Sequence, residues 1–248
     1  HTDKTASDLS EIVLEESRSI VHNVKLYKRR WFMLLIFSWF SLTNSLNWIT
    51  FAPIATVVIN EYSIGSLAVN SLSMIYMIVF IPGIFPASHI VDNYGLGLGF
   101  KIGAVMNVVG ALLRVLPWPI YNISDIAPYS FIPVFIGQTI CAAAQTFIIA
   151  MPPYLAQNWF GESERVTATA IGALANQLGI AVGFFLCPLI VPEDSDDFAI
   201  TKLLLLLSLF CISSLILILI FFQSKPASPP SRSAQVQESE SVEKLDHS

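Results

Sequence analysis

The chain has 248 residues and a formal net charge of −5, and 54% of its residues are hydrophobic while 12% are charged. Such hydrophobicity excludes a disordered chain, and the acidic balance argues against nucleic acid as a partner. The charged fraction is about half that of an ordinary soluble domain. The composition therefore predicts an all-α polytopic membrane protein whose surroundings are the lipid bilayer.

The two ends of the chain are polar and differ from the apolar middle. Residues 1–27 predict a cytoplasmic segment that opens with His1 and shows no signal-peptide pattern, so we expect a fragment or a processed form. Residues 224–248 are rich in Ser, Pro and Glu, which is typical of a disordered cytoplasmic tail or a loop between two halves. The three cysteines show neither disulfide nor zinc spacing, and we expect no metal and no other cofactor.

Six apolar stretches predict a bundle of six transmembrane helices over residues 28–223. Each stretch has roughly the 20 residues that a helix needs to cross about 30 Å of hydrocarbon. A buried helix of a soluble protein could account for one such stretch but not for six in series. The predicted spans are residues 31–58, 70–91, 98–117, 129–154, 166–190 and 200–222.

The basic residues predict the orientation of this bundle. Of the 13 Lys and Arg residues, 11 lie in segments on one side, and the positive-inside rule makes that side cytoplasmic, with both termini there. The basic run at residues 28–30 is the strongest anchor, whereas Arg114 and Lys202 lie at span ends toward the other side. The sequon that begins at Asn122 falls in an outer loop and is a candidate glycosylation site.

The polar residues within the spans are amides and aromatics rather than carboxylates. Every Asp and Glu between Trp31 and Phe222 lies in a loop or at a span end, so we expect no proton-coupling carboxylate in mid-membrane. Amides in hydrocarbon either form hydrogen bonds between helices or line a polar cavity. The candidate substrate-binding residues are Asn44 and Trp48 of the first span, Tyr76 of the second, Gln138 and Gln145 of the fourth, and Asn176 of the fifth.

Trp48 indicates the class of substrate. Tryptophans of membrane proteins belong to the interfaces, so one inside a span serves either for packing or as a ligand face. The indole ring is the best cation–π partner, and quaternary ammonium groups exploit it. A site with Trp48, Tyr76 and amides, but without carboxylates, suits a small organic cation whose hydroxyl group bonds an amide.

Two sets of sequence segments resemble known transporters. Residues 88–95 resemble the signature between the second and third helices of the major facilitator superfamily, in which Asp92 and Gly95 match while Ser88 and Asn93 replace the usual Gly and Arg. Longer stretches are similar to the feline leukaemia virus subgroup C receptor-related transporters, and their order and spacing hold over about residues 25–225. These stretches are residues 27–31, 44–48, 72–76, 137–138, 144–145, 159–161, 164–170 and 176–179.

The resemblance implies a fold of two six-helix halves, of which this chain is the N-terminal one, built as a 3+3 inverted repeat with the substrate between the halves. It implies that Trp48 and Gln145 contribute to the substrate cage and that Asp92 and Gly95 form a gating loop, where Asp92 caps a helix end or latches to the other half. The missing C-terminal half, or a second copy, would be the partner. The better-known members resemble choline and ethanolamine transporters of the plasma membrane, and haem export has also been attributed to them.

Three functions remain open at this point. The first is facilitative transport of a small organic cation such as choline or ethanolamine by alternating access. The second is haem export, for which His89, Tyr76 and Cys141 are the available iron ligands, although no two of them stand at ligand spacing. The third is a half-protein that acts as a receptor or scaffold without transport. No catalytic triad or Walker-type phosphate motif indicates an enzyme.

Overall fold

The computed structural model describes residues 25–117, 127–194 and 198–231. These residues form eight α-helices and, before the fifth, a 3₁₀ turn at Ala127–Ser130; they contain no strand, and the predicted all-α fold is confirmed. The helices are α1 (Arg29–Ile49), α2 (Ala55–Tyr62), α3 (Ser66–Tyr94), α4 (Leu96–Val115), α5 (Phe131–Gln145), α6 (Pro152–Trp159), α7 (Arg165–Ile190) and α8 (Ala199–Phe221).

Five of the described helices, namely α1, α3, α4, α7 and α8, are long and apolar enough to cross a membrane, and α5 is a shorter apolar helix. The predicted second, third, fifth and sixth spans each correspond to one continuous helix. The predicted first and fourth spans are wrong as continuous helices, because each is divided into a long and a short piece by a turn.

The first interrupted span consists of α1 and α2. Helix α1 has 21 residues, about 31 Å at 1.5 Å per residue, and a turn over residues 50–54 separates it from the eight residues of α2. Pro53 lies in this turn and has no backbone N–H to continue the helical hydrogen bonds. The predicted apolar run therefore changes direction where hydropathy alone shows no break.

The second interrupted span consists of α5 and α6. Helix α5 ends at Gln145, and residues 146–151 separate it from α6, which again has eight residues. Pro152 opens α6 at a position where its missing N–H is no loss. The three-helix groups α1/α2–α3–α4 and α5/α6–α7–α8 therefore each begin with an interrupted helix. The 3+3 inverted repeat stays a prediction.

Glycines allow the closest helix contacts in the bundle. A Cβ at Gly179 of α7 would lie 2.5 Å from the carbonyl oxygen of Leu42 in α1. A Cβ at Gly110 of α4 would lie 2.6 Å from the carbonyl oxygen of Gly137 in α5. Small residues at helix interfaces are the usual means of close packing in lipid, and here they bring α1 against α7 and α4 against α5.

The segments that flank the bundle meet on one side of it. The Tyr27 hydroxyl donates to Ser228 Oγ at 3.3 Å, and the Lys25 N–H donates to the Pro229 carbonyl oxygen at 3.3 Å. Residues 222–231 are irregular and pack against the ends of α6 and α7. Both flanks therefore lie on the same face of the bundle; residues 232–248, residues 1–24 and the sequon lie outside the described residues.

Candidate functional site

An arginine and two amides meet where α1 ends. Arg114, in the last turn of α4, is 0% exposed. Its Nη1 donates to the Asn47 carbonyl oxygen at 3.1 Å and to Gln138 Oε1 at 2.7 Å. Its Nη2 donates to Asn47 Oδ1 at 2.8 Å. One guanidinium group therefore joins α1, α4 and α5.

Gln138 completes this arrangement from α5. Its Nε2 approaches three carbonyl oxygens, those of Asn47 at 3.1 Å, Leu72 at 3.2 Å and Trp48 at 3.4 Å. The last carbonyl groups of a helix lack intrahelical partners, and Arg114 and Gln138 supply them for α1. The predicted role of Gln138 in substrate binding stays a prediction, and its amide is already bonded to protein.

Among the described residues, neutral groups rather than a carboxylate offset the positive charge of Arg114. Its hydrogen-bond partners among the described residues are all neutral, and its guanidinium lies 5.4 Å from the centre of the Phe51 ring. The C-terminal ends of α1 and of α4 each contribute the equivalent of about half a negative charge. The sequence analysis placed Arg114 correctly at a span end but did not predict its burial. A cation in an apolar helix, in a bundle whose other spans carry amides, was the available sign of a buried charge.

A second polar cluster lies about one turn earlier on α1. Asn44 Nδ2 donates to Asn107 Oδ1 and to the Cys141 carbonyl oxygen, both at 3.0 Å. Asn47 Nδ2 donates to Asn107 Oδ1 at 3.3 Å and to Cys211 Sγ at 3.0 Å. Asn107, which the sequence analysis missed, thus connects α4 to α1. Within the described part of the chain, Asn44 Oδ1 is buried and has no hydrogen-bond partner.

Trp48 and Tyr76 form an aromatic pair between α1 and α3. Their ring centres are 6.1 Å apart, with 33° between the ring planes. Trp48 Nε1 donates to the Ser73 carbonyl oxygen at 3.1 Å, which fixes the plane of the indole. Trp48 is partly exposed, whereas Tyr76 is 1% exposed; its hydroxyl lies against the Cys141 thiol, a weak partner, and makes no hydrogen bond to a described nitrogen or oxygen.

Gln145 lies at the equivalent place in the other interrupted helix. It is the last residue of α5, as Trp48 is the last but one of α1. It follows Cys141 by one helical turn, and Cys141 packs in the same small cluster as Tyr76 and Trp48. The Gln145 side chain is 4% exposed, and its carbonyl oxygen accepts from Ile148 N at 2.9 Å, which closes the turn.

Asn176 lies at a different level of the bundle. It is on α7 between Gly172, which packs against Phe37, and Gly179, which packs against Leu42. It therefore faces an earlier stretch of α1 than the one that carries Trp48. Its Nδ2 is buried and unbonded among the described residues. The structure thus brings four predicted site residues into one region, namely Asn44, Trp48, Tyr76 and Gln138. Gln145 lies one helical turn beyond Cys141, and Asn176 lies on α7 at an earlier level of α1.

The predicted gating loop is a single-residue joint between two helices. Gly95 has φ = +86°, ends α3 with an N–H bond of 2.9 Å to the Val91 carbonyl oxygen, and directly precedes α4. A positive φ favours glycine at this joint. Asp92 is exposed near the end of α3, and the structure shows no side-chain cap at the start of α4, where Gly95 is the N-cap residue. The expected roles of Asp92, as a helix cap or as a latch, stay predictions.

The three candidate iron ligands do not converge. His89 is exposed near the end of α3, where Asn93 Nδ2 lies 3.1 Å from its Nδ1. Tyr76 is 13 residues earlier on the same helix, a separation of roughly 20 Å along the axis. Cys141 is buried in the cluster with Tyr76. His89 and Tyr76 therefore cannot hold one haem iron together in this arrangement.

Comparison with known proteins adds to this geometry. The sequence matches the Major Facilitator Superfamily over residues 37–245. It is 38% identical over 217 residues to the choline/ethanolamine transporter flvcr2a of Danio rerio, covering 86% of this chain and 44% of that protein. It is 35% identical over 213 residues to the choline/ethanolamine transporter FLVCR2 of Homo sapiens, covering 84% of this chain and 39% of the relative.

An uncharacterized MFS-type transporter of Caenorhabditis elegans, C09D4.1, is 40% identical over 210 residues, covering 84% of this chain and 34% of that protein. The chain spans less than half the length of these curated relatives. The resemblance to the feline leukaemia virus subgroup C receptor-related transporters is confirmed by these matches. Because the superfamily match covers most of the chain and the helices suit a multi-pass membrane protein, the protein belongs to the major facilitator superfamily.

Proposed function

We propose that this chain is the N-terminal six-helix half of a facilitative transporter that carries a small organic cation, such as choline or ethanolamine, by alternating access. The observation that carries the proposal is the Trp48–Tyr76 pair, in which a partly exposed indole packs on a buried phenol beside an interrupted helix. The names of the two vertebrate relatives support the same substrate class.

The positions of the two interrupted helices support this location. Substrate sites of inverted-repeat transporters lie where discontinuous helices meet, at corresponding positions of the two repeats. Here the interruptions follow Trp48 in the first repeat and Gln145 in the second. Since Gln138 lies beside Trp48 and Gln145 is two turns further along α5, about 10 Å away, a substrate at the aromatic pair would extend along α5 toward the Gln145 amide.

The chemistry of these groups fits an alkanolamine cation. An indole face attracts a desolvated ammonium group by about 2 kcal/mol, without a carboxylate that would bind inorganic cations as well. The substrate hydroxyl would donate to Asn44 Oδ1 or accept from the Tyr76 hydroxyl, neither of which bonds a nitrogen or oxygen of the described residues. A buried polar group without a partner costs about 1–3 kcal/mol, so a ligand that supplies the partner gains affinity.

The C-terminal half of the full-length protein would complete the site. Helices α1 and α7 border an apolar groove of about 780 Å³, lined by residues that include Leu34, Leu35, Leu174 and Leu178. Because the chain spans less than half of its relatives, we assign this face to the other half of the same protein. Native-gel sizing of the full-length protein should show one copy per particle, whereas a dimer would indicate that a second copy covers the groove.

Orientation and location belong to the same proposal. The basic flank at residues 28–30 and the joined terminal flanks support a cytoplasmic position for both ends. The plasma membrane is the expected location. Antibody labelling of epitope tags at both ends, with and without permeabilisation, would contradict this assignment if intact cells were labelled.

Uptake of labelled choline into cells that express the full-length protein tests the function. We expect saturable uptake in the parent and its loss in Trp48→Ala at matched surface level. Trp39→Ala is the control, because Trp39 lies on the same helix but its Nε1 donates to Ser213 Oγ of α8 at 2.9 Å. Uptake that survives Trp48→Ala would refute the aromatic site, and no uptake in the parent would refute choline as the substrate.

A further inference from the structure

Arg114 is a buried charge for which the proposed transport mechanism has no use. It is among the largest fully buried side chains of the described residues. Burial of a charge is strongly unfavourable unless hydrogen bonds and dipoles replace its hydration. Three hydrogen bonds of 2.7 to 3.1 Å and two helix C-termini supply most of that replacement here, while Nε has no partner among the described residues. So many compensating contacts indicate a defined task for the guanidinium.

The contacts of Arg114 lead to the aromatic pair in two steps. The guanidinium holds both the carbonyl and the side-chain oxygen of Asn47, the residue that directly precedes Trp48. It also holds Gln138 Oε1, while Gln138 Nε2 lies 3.4 Å from the Trp48 carbonyl oxygen. The backbone on both sides of the Trp48 Cα is therefore fixed from α4 and α5, at the point where α1 stops being helical.

We infer that Arg114 is a positioning residue of the proposed cation site, which fixes the last turn of α1 and thereby the Trp48 ring without touching the substrate. The inference rests on the proposed function for its transport readout. The planar guanidinium bonds Asn47 and Gln138 at once, whereas a lysine ammonium at this position would keep the charge but lose the fork geometry. The helix dipoles at the guanidinium offset its charge and so weaken its repulsion of a cationic substrate at Trp48.

The test compares variants of the full-length protein, in lipid nanodiscs for hydrogen exchange and in cells for uptake. Arg114→Gln removes the charge, Arg114→Lys keeps it without the fork, and Gln138→Leu removes the second cap donor while Arg114 stays bonded to Asn47. Lys101→Gln is the matched control, because Lys101 is an exposed cation on the same helix. The readouts are amide hydrogen exchange of the peptide that spans residues 46–54 and the KM and Vmax of choline uptake at matched surface level.

We expect faster exchange of residues 46–54 in Arg114→Gln, and a smaller increase in Arg114→Lys and in Gln138→Leu. The KM for choline should rise roughly tenfold in Arg114→Gln, the usual weight of a charge-assisted hydrogen bond, with a smaller change in Vmax. Lys101→Gln should leave both readouts unchanged.

The two readouts separate the possible failures. Unchanged exchange in Arg114→Gln would overturn the capping of α1. Faster exchange with an unchanged KM would overturn the positioning of Trp48. If the parent protein takes up no choline, the proposed substrate fails, and hydrogen exchange still decides whether Arg114 caps the helix. If Arg114→Gln does not reach the membrane, the exchange of residues 46–54 in Arg114→Lys and in Gln138→Leu is compared with that of the parent protein. Unchanged exchange in both variants would overturn the inference.

Discussion

Replacement of Tyr76 by phenylalanine tests whether the Tyr76 hydroxyl binds the substrate or whether Tyr76 serves only for packing. The Tyr76 ring is buried against Trp48, and its hydroxyl meets only the Cys141 thiol, a weak partner, among the described residues. If the hydroxyl forms a hydrogen bond with the substrate, its removal should weaken substrate binding. The same change should stabilise the protein without substrate, because it removes a poorly bonded buried polar group. A hydroxyl that only fills space would give no such opposite effects.

The magnitude follows from the cost of a poorly bonded polar group. Burial of the poorly bonded hydroxyl costs about 1–3 kcal/mol, so Tyr76→Phe should stabilise the empty protein by about 1 kcal/mol. The hydrogen bond that it would donate to the substrate contributes about 1 kcal/mol, which raises the KM for choline roughly fivefold. Active sites commonly show this exchange of stability for function.

Two assays measure these effects, one on the full-length protein in nanodiscs and the other on cells that express it. Thermal unfolding in nanodiscs without substrate should show a higher midpoint for Tyr76→Phe, and uptake kinetics should show the raised KM. Tyr154→Phe is the control, because Tyr154 is 42% exposed on α6 and should change neither value. An unchanged KM for Tyr76→Phe would refute the hydroxyl as a substrate ligand, whatever happens to stability.

Three further changes test the fold. Gly179→Val should abolish folded protein at the cell surface, because the new Cβ would collide with Leu42 of α1. Gly65→Ala is the control and should be tolerated, because no atom lies within 4 Å of its Cβ. Equal surface levels of the two variants would contradict the close packing of α1 and α7. Glu164→Gln removes the 3.0 Å ion pair with Arg30, and since such pairs contribute about 0–1 kcal/mol, the unfolding midpoint should fall slightly at low salt and less at high salt. Gly95→Ala should destabilise the protein by about 1 kcal/mol, because φ is +86° there. An unchanged unfolding midpoint would contradict the positive φ at the joint between α3 and α4.

The apolar runs of the sequence were sufficient to predict most of the fold. Four of the six predicted spans are single helices, because length and hydropathy decide which segments cross a membrane. The interruptions after Ile49 and Gln145 were not predicted, since the residues within both turns are as apolar as those of the helices beside them. Pro53 and Pro152 were visible signals, but a proline alone does not tell a kink from a break.

The candidate site was predictable by residue type but not by contact. Helical periodicity places Asn44 and Trp48 on one face of α1, and the structure shows this face turned toward α3, α4 and α5. Periodicity does not tell which faces of different helices meet. The sequence analysis therefore did not predict the roles of Arg114 and Asn107. In the sequence, Arg114 looks like an ordinary cation at a membrane interface, and Asn107 looks like a single polar residue in an apolar helix. Their roles depend on partners far away in sequence, at Asn47 and Gln138.

The central claim is that Trp48 recognises a positive charge, and a comparison of choline with its uncharged carbon analogue, 3,3-dimethyl-1-butanol, tests it most directly. The two molecules share shape and hydroxyl and differ in the quaternary nitrogen. In competition for binding to the full-length protein, choline should bind roughly 30-fold tighter, the equivalent of about 2 kcal/mol for a desolvated cation–π contact. Trp48→Leu should remove most of that difference. Equal affinity of the two molecules for the parent protein would contradict the account.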